Sequence, residues 1–475
     1  MKRKWFLRAG FGLLAMTLLG VASVVGEWKV TRSANEKLLR AAVAKLDADE
    51  PGWRLHELND ARNARLPPAD RNAGEQMLVA LGLTPPAYTE WTKDETFRAE
   101  PVSNHLMDED AFRAAAAVHA ECGPALEAAR RVRTLPEGGF AIHFAEPNPL
   151  NTPLANTQKM REGARLLSLD AIVQAYNKRP EEALQSCRAS LNLTSGAIGD
   201  EPTLISQLVR MAMNIIAINE VERTLAWNEG PAGLVELQAR LAAEQDVPRL
   251  LYGYRGERAI VFRLFENMDA GTVTMDTVFG EPASQEPRSR LTNWSVRKVI
   301  PEAQAYDLGY SNALIESTAL ADVDRTTAVR AVTSKVPPLR KQALEDGLKY
   351  VFLAAADKVD AAENRVRARL GCAVAALACE RFRQKTGRWP ETLQAIPADL
   401  LAAVPTDPYT GRPLLYRVHA DGVTVYATGA DKADDGGTNI SQKDEPGTDL
   451  GFKLWNPALR RAAPVPKPNP IEEPE

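Results

Sequence analysis

Three stretches near the C-terminus decide the fold, and they read ALACERFRQKTGRWPETLQAI from Ala376 to Ile396, VPTDPYTGRPLLYR from Val404 to Arg417, and GVTVYATGADKADDGG from Gly422 to Gly437. The first belongs to an Ala-, Arg- and Leu-rich segment that predicts a long helix over 361–386. Gly387 is a suitable residue to end it, since glycine adopts the left-handed conformation common at helix C-termini, and Pro390 follows. The long helix is therefore predicted to end abruptly, about ninety residues before the last residue of the sequence.

A small antiparallel sheet is predicted after this helix. The β-rich runs 414–419 and 423–428 are joined through Ala420, Asp421 and Gly422. Asp-Gly is a strong hairpin signal because glycine supplies the positive φ that a tight turn needs. The helix and the sheet together predict an α+β domain over residues 361–455.

This order of helix, Gly-Arg-Trp-Pro stop, hairpin and acidic Gly-rich loop resembles the C-terminal globular domain of the major pseudopilin of type II secretion. The resemblance covers roughly a fifth of the chain. It implies that the last loop of the sheet holds calcium through Asp431, Asp434 and Asp435. Calcium binds six to eight oxygen ligands on a bendable loop, which these carboxylates and the nearby glycines could supply in part. A solvated acidic turn without metal remains the alternative.

The N-terminus predicts a single-pass membrane anchor. Residues 1–8 carry Lys2, Arg3, Lys4 and Arg8, and the apolar run 9–26 is uncharged and just long enough to cross a bilayer. The basic charges place residues 1–8 in the cytoplasm, so the bulk of the chain is expected to be periplasmic and attached to the inner membrane. A cleaved signal peptide is the alternative.

A second feature of this end is similar to the processing site of prepilins. Arg8-Ala9-Gly10-Phe11 precedes apolar residues, and cleavage by a prepilin peptidase would fall between Gly10 and Phe11. Pilin-like proteins carry Glu at the fifth position after the cut, where this chain has Ala15. The resemblance therefore concerns a domain rather than a whole pseudopilin.

Residues 27–360 are predicted to form a mainly helical extracytoplasmic domain. Between 156 and 244 apolar residues recur every three to four positions, which indicates amphipathic helices. The pattern breaks before Pro180, which suits the first turn of a new helix together with Glu181 and Glu182. The pair of helices resembles a tetratricopeptide-type hairpin, and an irregular helical bundle is the alternative.

The four cysteines allow few pairings. Cys372 and Cys379 are seven positions apart on one predicted helix, about 10 Å along its axis, which is too far for a disulfide. Both are expected to be small core residues of a helix that is apolar on two faces. A disulfide between Cys122 and Cys187 remains open.

Composition and motifs exclude several functions. Lys and Arg number 58 against 62 Asp and Glu, a net charge of −4, so nucleic-acid binding is disfavoured. None of the five histidines forms a His-Glu-x-x-His motif, and no nucleophile elbow or phosphate-binding glycine loop is present. His119-Ala120-Glu121 lacks the Pro-Cys-x-x-Cys that zinc deaminases require.

The sequence therefore predicts a non-enzymatic structural or protein-interaction component of the bacterial cell envelope, with unknown envelope proteins as partners. One alternative is a component of a type II secretion or pilus-like apparatus, and another is a hydrolase with an unrecognised site. Calcium is the one cofactor that the sequence suggests. The Pro-rich residues 456–475 are expected to form a disordered, extended tail.

Overall fold

The structure is a computed structural model that describes residues 2–93, 102–278, 287–336, 353, 355–441 and 444–465. In these ranges the chain is mainly helical, with one three-stranded antiparallel sheet near the C-terminus. The prediction of a mainly helical chain with a small antiparallel sheet near the C-terminus is confirmed. Side chains of α1, the first helix, are described from residue 16 onward.

The α-helices that the structure describes all precede the sheet in the chain. They are α1 (Lys2–Asp49), α2 (Leu55–Asn63), α3 (Ala73–Gly82), α4 (Pro86–Lys93), α5 (Glu109–Glu121), α6 (Gly123–Arg130), α7 (Ala155–Tyr176), α8 (Pro180–Leu193), α9 (Leu204–Trp227), α10 (Leu234–Gln245), α11 (Arg249–Ala270), α12 (Met275–Val278), α13 (Pro287–Val296), α14 (Ile300–Ser317), α15 (Asp322–Thr333) and α16 (Ala356–Thr386).

Helix α1 has two dissimilar halves. It runs for 48 residues, about 72 Å at 1.5 Å per residue. The apolar side chains between Met16 and Val25 are exposed, whereas Leu46 is buried against Phe262 and Leu308. The side chains from Met16 to Val25 therefore lie outside the folded body, and the second half of α1 belongs to it.

Among the residues that the structure describes, one helix, α9, is long and apolar enough to cross a membrane. Its apolar window is 67% buried inside the protein. The core helix of a soluble domain meets the same criteria of length and composition, and α9 packs against α7, α8, α11 and α16. Its burial accounts for its hydrophobicity without a bilayer.

The predicted helix break before Pro180 is confirmed. α7 ends at Tyr176, and α8 begins at Pro180 with two glutamates in its first turn. Three residues connect the helices, and the middle one, Lys178, has φ 60°. α7 and α8 pack against each other, as expected of a helical hairpin.

Helix α16 begins at Ala356, five residues before the predicted start, and ends at Gly387 with φ +78° as predicted. Cys372 and Cys379 are fully buried, and the helix contacts α9 and α10 as well as the sheet. The prediction of a helix buried on two faces is confirmed. All four cysteines are free, so the disulfide considered between Cys122 and Cys187 is not formed.

The sheet has the order β1 (Leu415–His419), β2 (Gly422–Ala427) and β3 (Leu450–Trp455), with both pairings antiparallel. The predicted hairpin pairs Val418 with Val423. The central strand is buried on both faces. Val423 and Val425 join the core around α16, while Tyr426 faces the loop that connects β2 to β3. One hydrophobic cluster thus includes the sheet, α16 and side chains of α8 to α11.

The expectation of a disordered tail from residue 456 is corrected for residues 456–465. Arg460 is buried and donates two hydrogen bonds to Glu380, of 3.1 and 2.7 Å. Ala462 forms a parallel bridge with His105, and the guanidinium of Arg461 lies over the ring of Tyr176. These polar contacts hold the segment against the helices despite its prolines. The rest of the predicted tail lies outside the described residues.

Candidate functional site

The acidic loop between β2 and β3 contains the three aspartates predicted to bind calcium. Asp431 accepts hydrogen bonds of 3.0 Å from the backbone N–H groups of Ala433 and Gly447. These bonds, first that from Gly447, lower the pKa of the exposed Asp431 carboxyl. Asp431 therefore ties together the two ends of the loop.

Asp434 also acts within a turn. Its Oδ1 accepts hydrogen bonds from the backbone N–H of Gly436 at 2.9 Å and from the hydroxyl of Tyr426 at 3.0 Å. Gly437 has φ +64°, and a Cβ there would lie 2.6 Å from the Tyr426 ring, so a side chain at this position would clash. The aromatic ring and the glycine together place the Asp434 turn over the sheet.

Asp435 differs because its carboxylate is not used in a turn. Its Oδ2 is buried and has no hydrogen-bond partner among the described residues, while its backbone N–H donates to Asp449 at 3.4 Å. In the part of the chain that the structure describes, no three His, Cys, Asp or Glu side chains are grouped as metal ligands. Calcium binding by Asp431, Asp434 and Asp435 stays a prediction.

Two further aspartates organise this region, and only one was indicated by the sequence. The Asp407-Pro408 pair is typical of a turn, and the Asp407 carboxylate accepts hydrogen bonds from the backbone N–H of Tyr409 at 2.8 Å and of Thr428 at 3.2 Å. Asp449 was missed. Its Oδ2 accepts from the backbone N–H of Gly437 at 2.8 Å, and burial raises its pKa. Its position directly before a β-rich run was the available signal.

A cavity of about 550 Å³ lies between α2, the segment 142–146 and α11. His56 and His143 line it although they are far apart in sequence. Asp60 and Glu266 add carboxylates, and Phe262 adds an apolar wall. The cavity offers hydrogen-bond donors, acceptors and an aromatic surface, which suits a small polar ligand.

Hydrogen bonds fix the walls of this cavity. Arg263 donates to Glu146 at 2.9 Å, and this bond raises the pKa of the guanidinium. Asn267 donates to the other oxygen of Glu146, also at 2.9 Å. Asn59 donates to the carbonyl of Ile142 at 2.8 Å. The segment 142–146 is thereby held between α2 and α11.

The two cavity histidines are exposed. Neither donates to nor accepts from a carboxylate in the hydrogen bonds of the described residues. Catalytic histidines are commonly oriented by a second polar group, which holds the tautomer and the ring direction.

A second polar cluster surrounds the fully buried Asp170. His119 and Arg130 contact its carboxylate at 2.8 Å, and the hydroxyl of Ser186 donates to it at 2.5 Å. Burial alone would raise the pKa of Asp170, but the hydrogen bonds from His119 and Arg130 outweigh it and hold the pKa well below its usual range. Ser186 and His119 both bind the aspartate rather than each other, so this is a structural hub and not a nucleophile–base pair.

A third cluster contains buried arginines and glutamates. Arg210 donates two hydrogen bonds of 2.8 Å to Glu244, and Arg249 contacts Glu244 while binding Glu363. These pairs connect α9, α10, α11 and α16. The sequence indicates no role for Arg210, whereas in the structure Arg210 joins α9 to α10 through Glu244.

Comparison of the chain with known protein families, with curated proteins and with solved structures finds no match.

Proposed function

We propose that this chain is a non-enzymatic structural or protein-interaction component of the bacterial cell envelope, anchored by α1 in the inner membrane with its body in the periplasm. The observation that carries the proposal is the contrast within α1. Its apolar side chains from Met16 to Val25 are exposed, and its second half is packed into the body.

The exposed half of α1 has the properties of a membrane span. Leu18 and Leu19 are 61% and 71% exposed, and Val24 is 56% exposed. The run 9–26 contains no charged residue, so a bilayer would cover these side chains at little polar cost. The basic residues before it favour a cytoplasmic N-terminus.

A structural role is supported by how firmly α1 continues into the body. Arg32 donates hydrogen bonds of 2.7 and 2.8 Å to the two oxygens of Asp269 at the end of α11. Asn35 donates to the carbonyl of Lys298 at 2.9 Å. An anchor joined through such contacts holds the body in one orientation rather than on a flexible tether, which suits a scaffold that presents a surface to partners.

The anchoring is tested by extracting native membranes at alkaline pH. The full-length chain is expected to stay in the pellet, and a variant that begins at residue 27 is expected to be soluble and to retain a helical circular dichroism spectrum. Release of the full-length chain into the supernatant would contradict the anchor. Affinity purification of both forms from crosslinked cells then tests whether envelope proteins accompany the anchored form alone.

A role in a type II secretion or pilus-like apparatus is the first alternative. It is supported by a long helix that leads into a three-stranded antiparallel sheet, the order of elements that suggested the pseudopilin domain. Cleavage between Gly10 and Phe11 distinguishes this alternative.

A hydrolase is the second alternative. It is supported by the residue types that line the cavity, because His56, His143 and Asp60 have side chains that hydrolases use for catalysis. Chromogenic esters, phosphoesters, glycosides and peptides should then be screened with the wild type and with His143→Gln. Turnover that the substitution removes without changing the melting temperature would establish an active site here. Equal rates in both proteins would contradict it.

A further inference from the structure

We propose that Trp28 and Trp294 form a lipid-binding surface that rests in the headgroup layer of the periplasmic leaflet and sets the orientation of the body on the membrane. This inference rests on the proposed membrane anchor. It adds a second contact with the bilayer, made by a residue outside the spanning helix.

The position of Trp28 suggests this contact. It lies two residues after Gly26, the end of the uncharged run, so about 3 Å further along the helix axis. Trp5 stands 23 positions earlier, about 35 Å along the same helix. The hydrocarbon core is about 30 Å thick, and tryptophans are enriched at both of its interfaces. Trp5 and Trp28 are therefore spaced as the two aromatic belts of one span.

Trp294 is held at the same depth by direct contact with Trp28. The rings stack with centroids 5.3 Å apart and planes inclined by 13°. Trp28 Nε1 also donates to the carbonyl of Trp294 at 3.2 Å. The headgroup region adds about 5–8 Å on each side of the hydrocarbon core. A side chain stacked on Trp28 lies within or beside that layer.

The segment around Trp294 is fixed to α1. Arg32 donates to the carbonyl of Arg297 at 2.9 Å in addition to its pair with Asp269, and the buried Asn35 binds the carbonyl of Lys298. These bonds lie on the next turns of α1 after Trp28. The body thus meets the helix at the level where the helix leaves the apolar layer.

The exposed side chains of α1 at the depth of the tryptophan pair suit lipid rather than water. Trp28 and Trp294 are only partly buried, and Val30, one turn of the helix from Gly26, is 72% exposed. Lys29 is exposed beside Trp28. A lysine stem can lie along acyl chains while its ammonium group reaches the phosphates. Aromatic, aliphatic and basic side chains together suit the boundary between acyl chains and headgroups.

Fluorescence quenching in vesicles tests the inference. The full-length protein is reconstituted in phosphatidylcholine and phosphatidylglycerol vesicles that carry a nitroxide on the phosphatidylcholine headgroup. Three of the eight tryptophans, Trp5, Trp28 and Trp294, should then be quenched in the wild type. In Trp294→Phe two of the remaining seven should be quenched, so the quenched fraction of the emission falls.

The matched control is Trp389→Phe. Trp389 donates to Asn456 beside the sheet, and its loss should raise the quenched fraction to three of seven. An unchanged or increased quenched fraction in Trp294→Phe, with the protein still floating with the vesicles, would overturn the lipid-binding surface alone. Protein that does not float with the vesicles would overturn the membrane anchor and this inference together.

Discussion

Arg249 donates two hydrogen bonds of 2.9 Å to the carboxylate of Glu363, 114 positions away, and both side chains are buried. Burial would lower the pKa of Arg249, but the charges of Glu363 and Glu244 outweigh it and raise the pKa. The pair joins α11 to α16, so it connects the helical part of the chain with the helix that carries the sheet.

Replacing Arg249 should be strongly destabilising. Arg249→Met leaves Glu363 buried without its bidentate partner, and removing one member of a buried ion pair costs about 3–5 kcal/mol. Urea denaturation should show this loss in the free energy of unfolding. The matched control is Arg388→Met, because Arg388 pairs with Glu391 on the surface and should contribute less than about 1 kcal/mol. Equal losses in the two variants would contradict a central role for Arg249.

Leu377 is fully buried on α16 within the cluster that includes the sheet. Leu377→Ala should lower the free energy of unfolding by about 2–5 kcal/mol, through lost hydrophobic transfer energy and a cavity. Val418→Ala on the exposed side of β1 is the control and should change stability by less than about 0.5 kcal/mol. A loss under about 1 kcal/mol for Leu377→Ala would mean that α16 is not the centre of this core.

Asp307 should make the protein less stable as the pH rises. Burial, with a contribution from Glu257, raises the pKa of Asp307 to about 8, while Arg258 opposes the rise. The unfolded pKa is about 3.9, so the folded state binds the proton more tightly. The stability that depends on this proton is complete below about pH 4 and is lost as the pH rises through about 8.

Asp307→Asn should remove this pH dependence. The melting temperature of Asp307→Asn minus that of the wild type should increase between about pH 4 and pH 8, and this difference should be constant above about pH 8. The difference in free energy is at most about 6 kcal/mol, at about 1.4 kcal/mol per pH unit over the interval between the two pKa values. Asp399→Asn, at an exposed carboxylate, should leave the profile unchanged. Parallel profiles for the wild type and Asp307→Asn would contradict the raised pKa.

The N-terminal anchor should remain uncut in membranes. Intact mass spectrometry of the purified protein should give a chain that includes residues 1–26. Coexpression with a prepilin peptidase should leave the mass unchanged, because Ala15 occupies the position where pilin-like proteins carry Glu. A product that begins at Phe11 and is absent from a Gly10→Val variant would instead support the secretion or pilus-like alternative.

The calcium prediction requires a higher melting temperature in millimolar calcium than in chelator. A ligand that binds only the folded state stabilises it by about 2.7 kcal/mol at a hundredfold excess over Kd. The increase should be absent from the double variant Asp434→Ala and Asp435→Ala. Identical melting curves with calcium and with chelator would leave the loop as an acidic turn, in which Asp431 and Asp434 only accept hydrogen bonds.

Local features of the chain were predictable because they depend on a few neighbouring residues. Pro180 begins a helix since its fixed φ suits the first turn, and Gly387 ends one since it adopts positive φ without strain. The hairpin forms as predicted, but its two turn residues are Ala420 and Asp421, and Gly422 is the first residue of β2, paired with His419. Burial of Cys372 and Cys379 followed from the apolar residues on both faces of α16.

Contacts between distant segments had no such local signal. No residue near Arg460 in sequence indicates that Arg460 pairs with Glu380. The segment 456–465 was therefore predicted to be part of a disordered tail. The cavity likewise brings together His56 and His143 from segments whose approach depends on the packing of α2 and α11.

The sequence by itself determined the helices, their breaks and the hairpin, because backbone preferences act over one or two turns. It also determined the uncharged run of α1. Only the tertiary structure decided which charged residues are buried in pairs, since Arg249 and Glu363 acquire their interaction when α11 and α16 pack together. The same packing placed Trp294 against Trp28, because that contact depends on how α1 docks on the body.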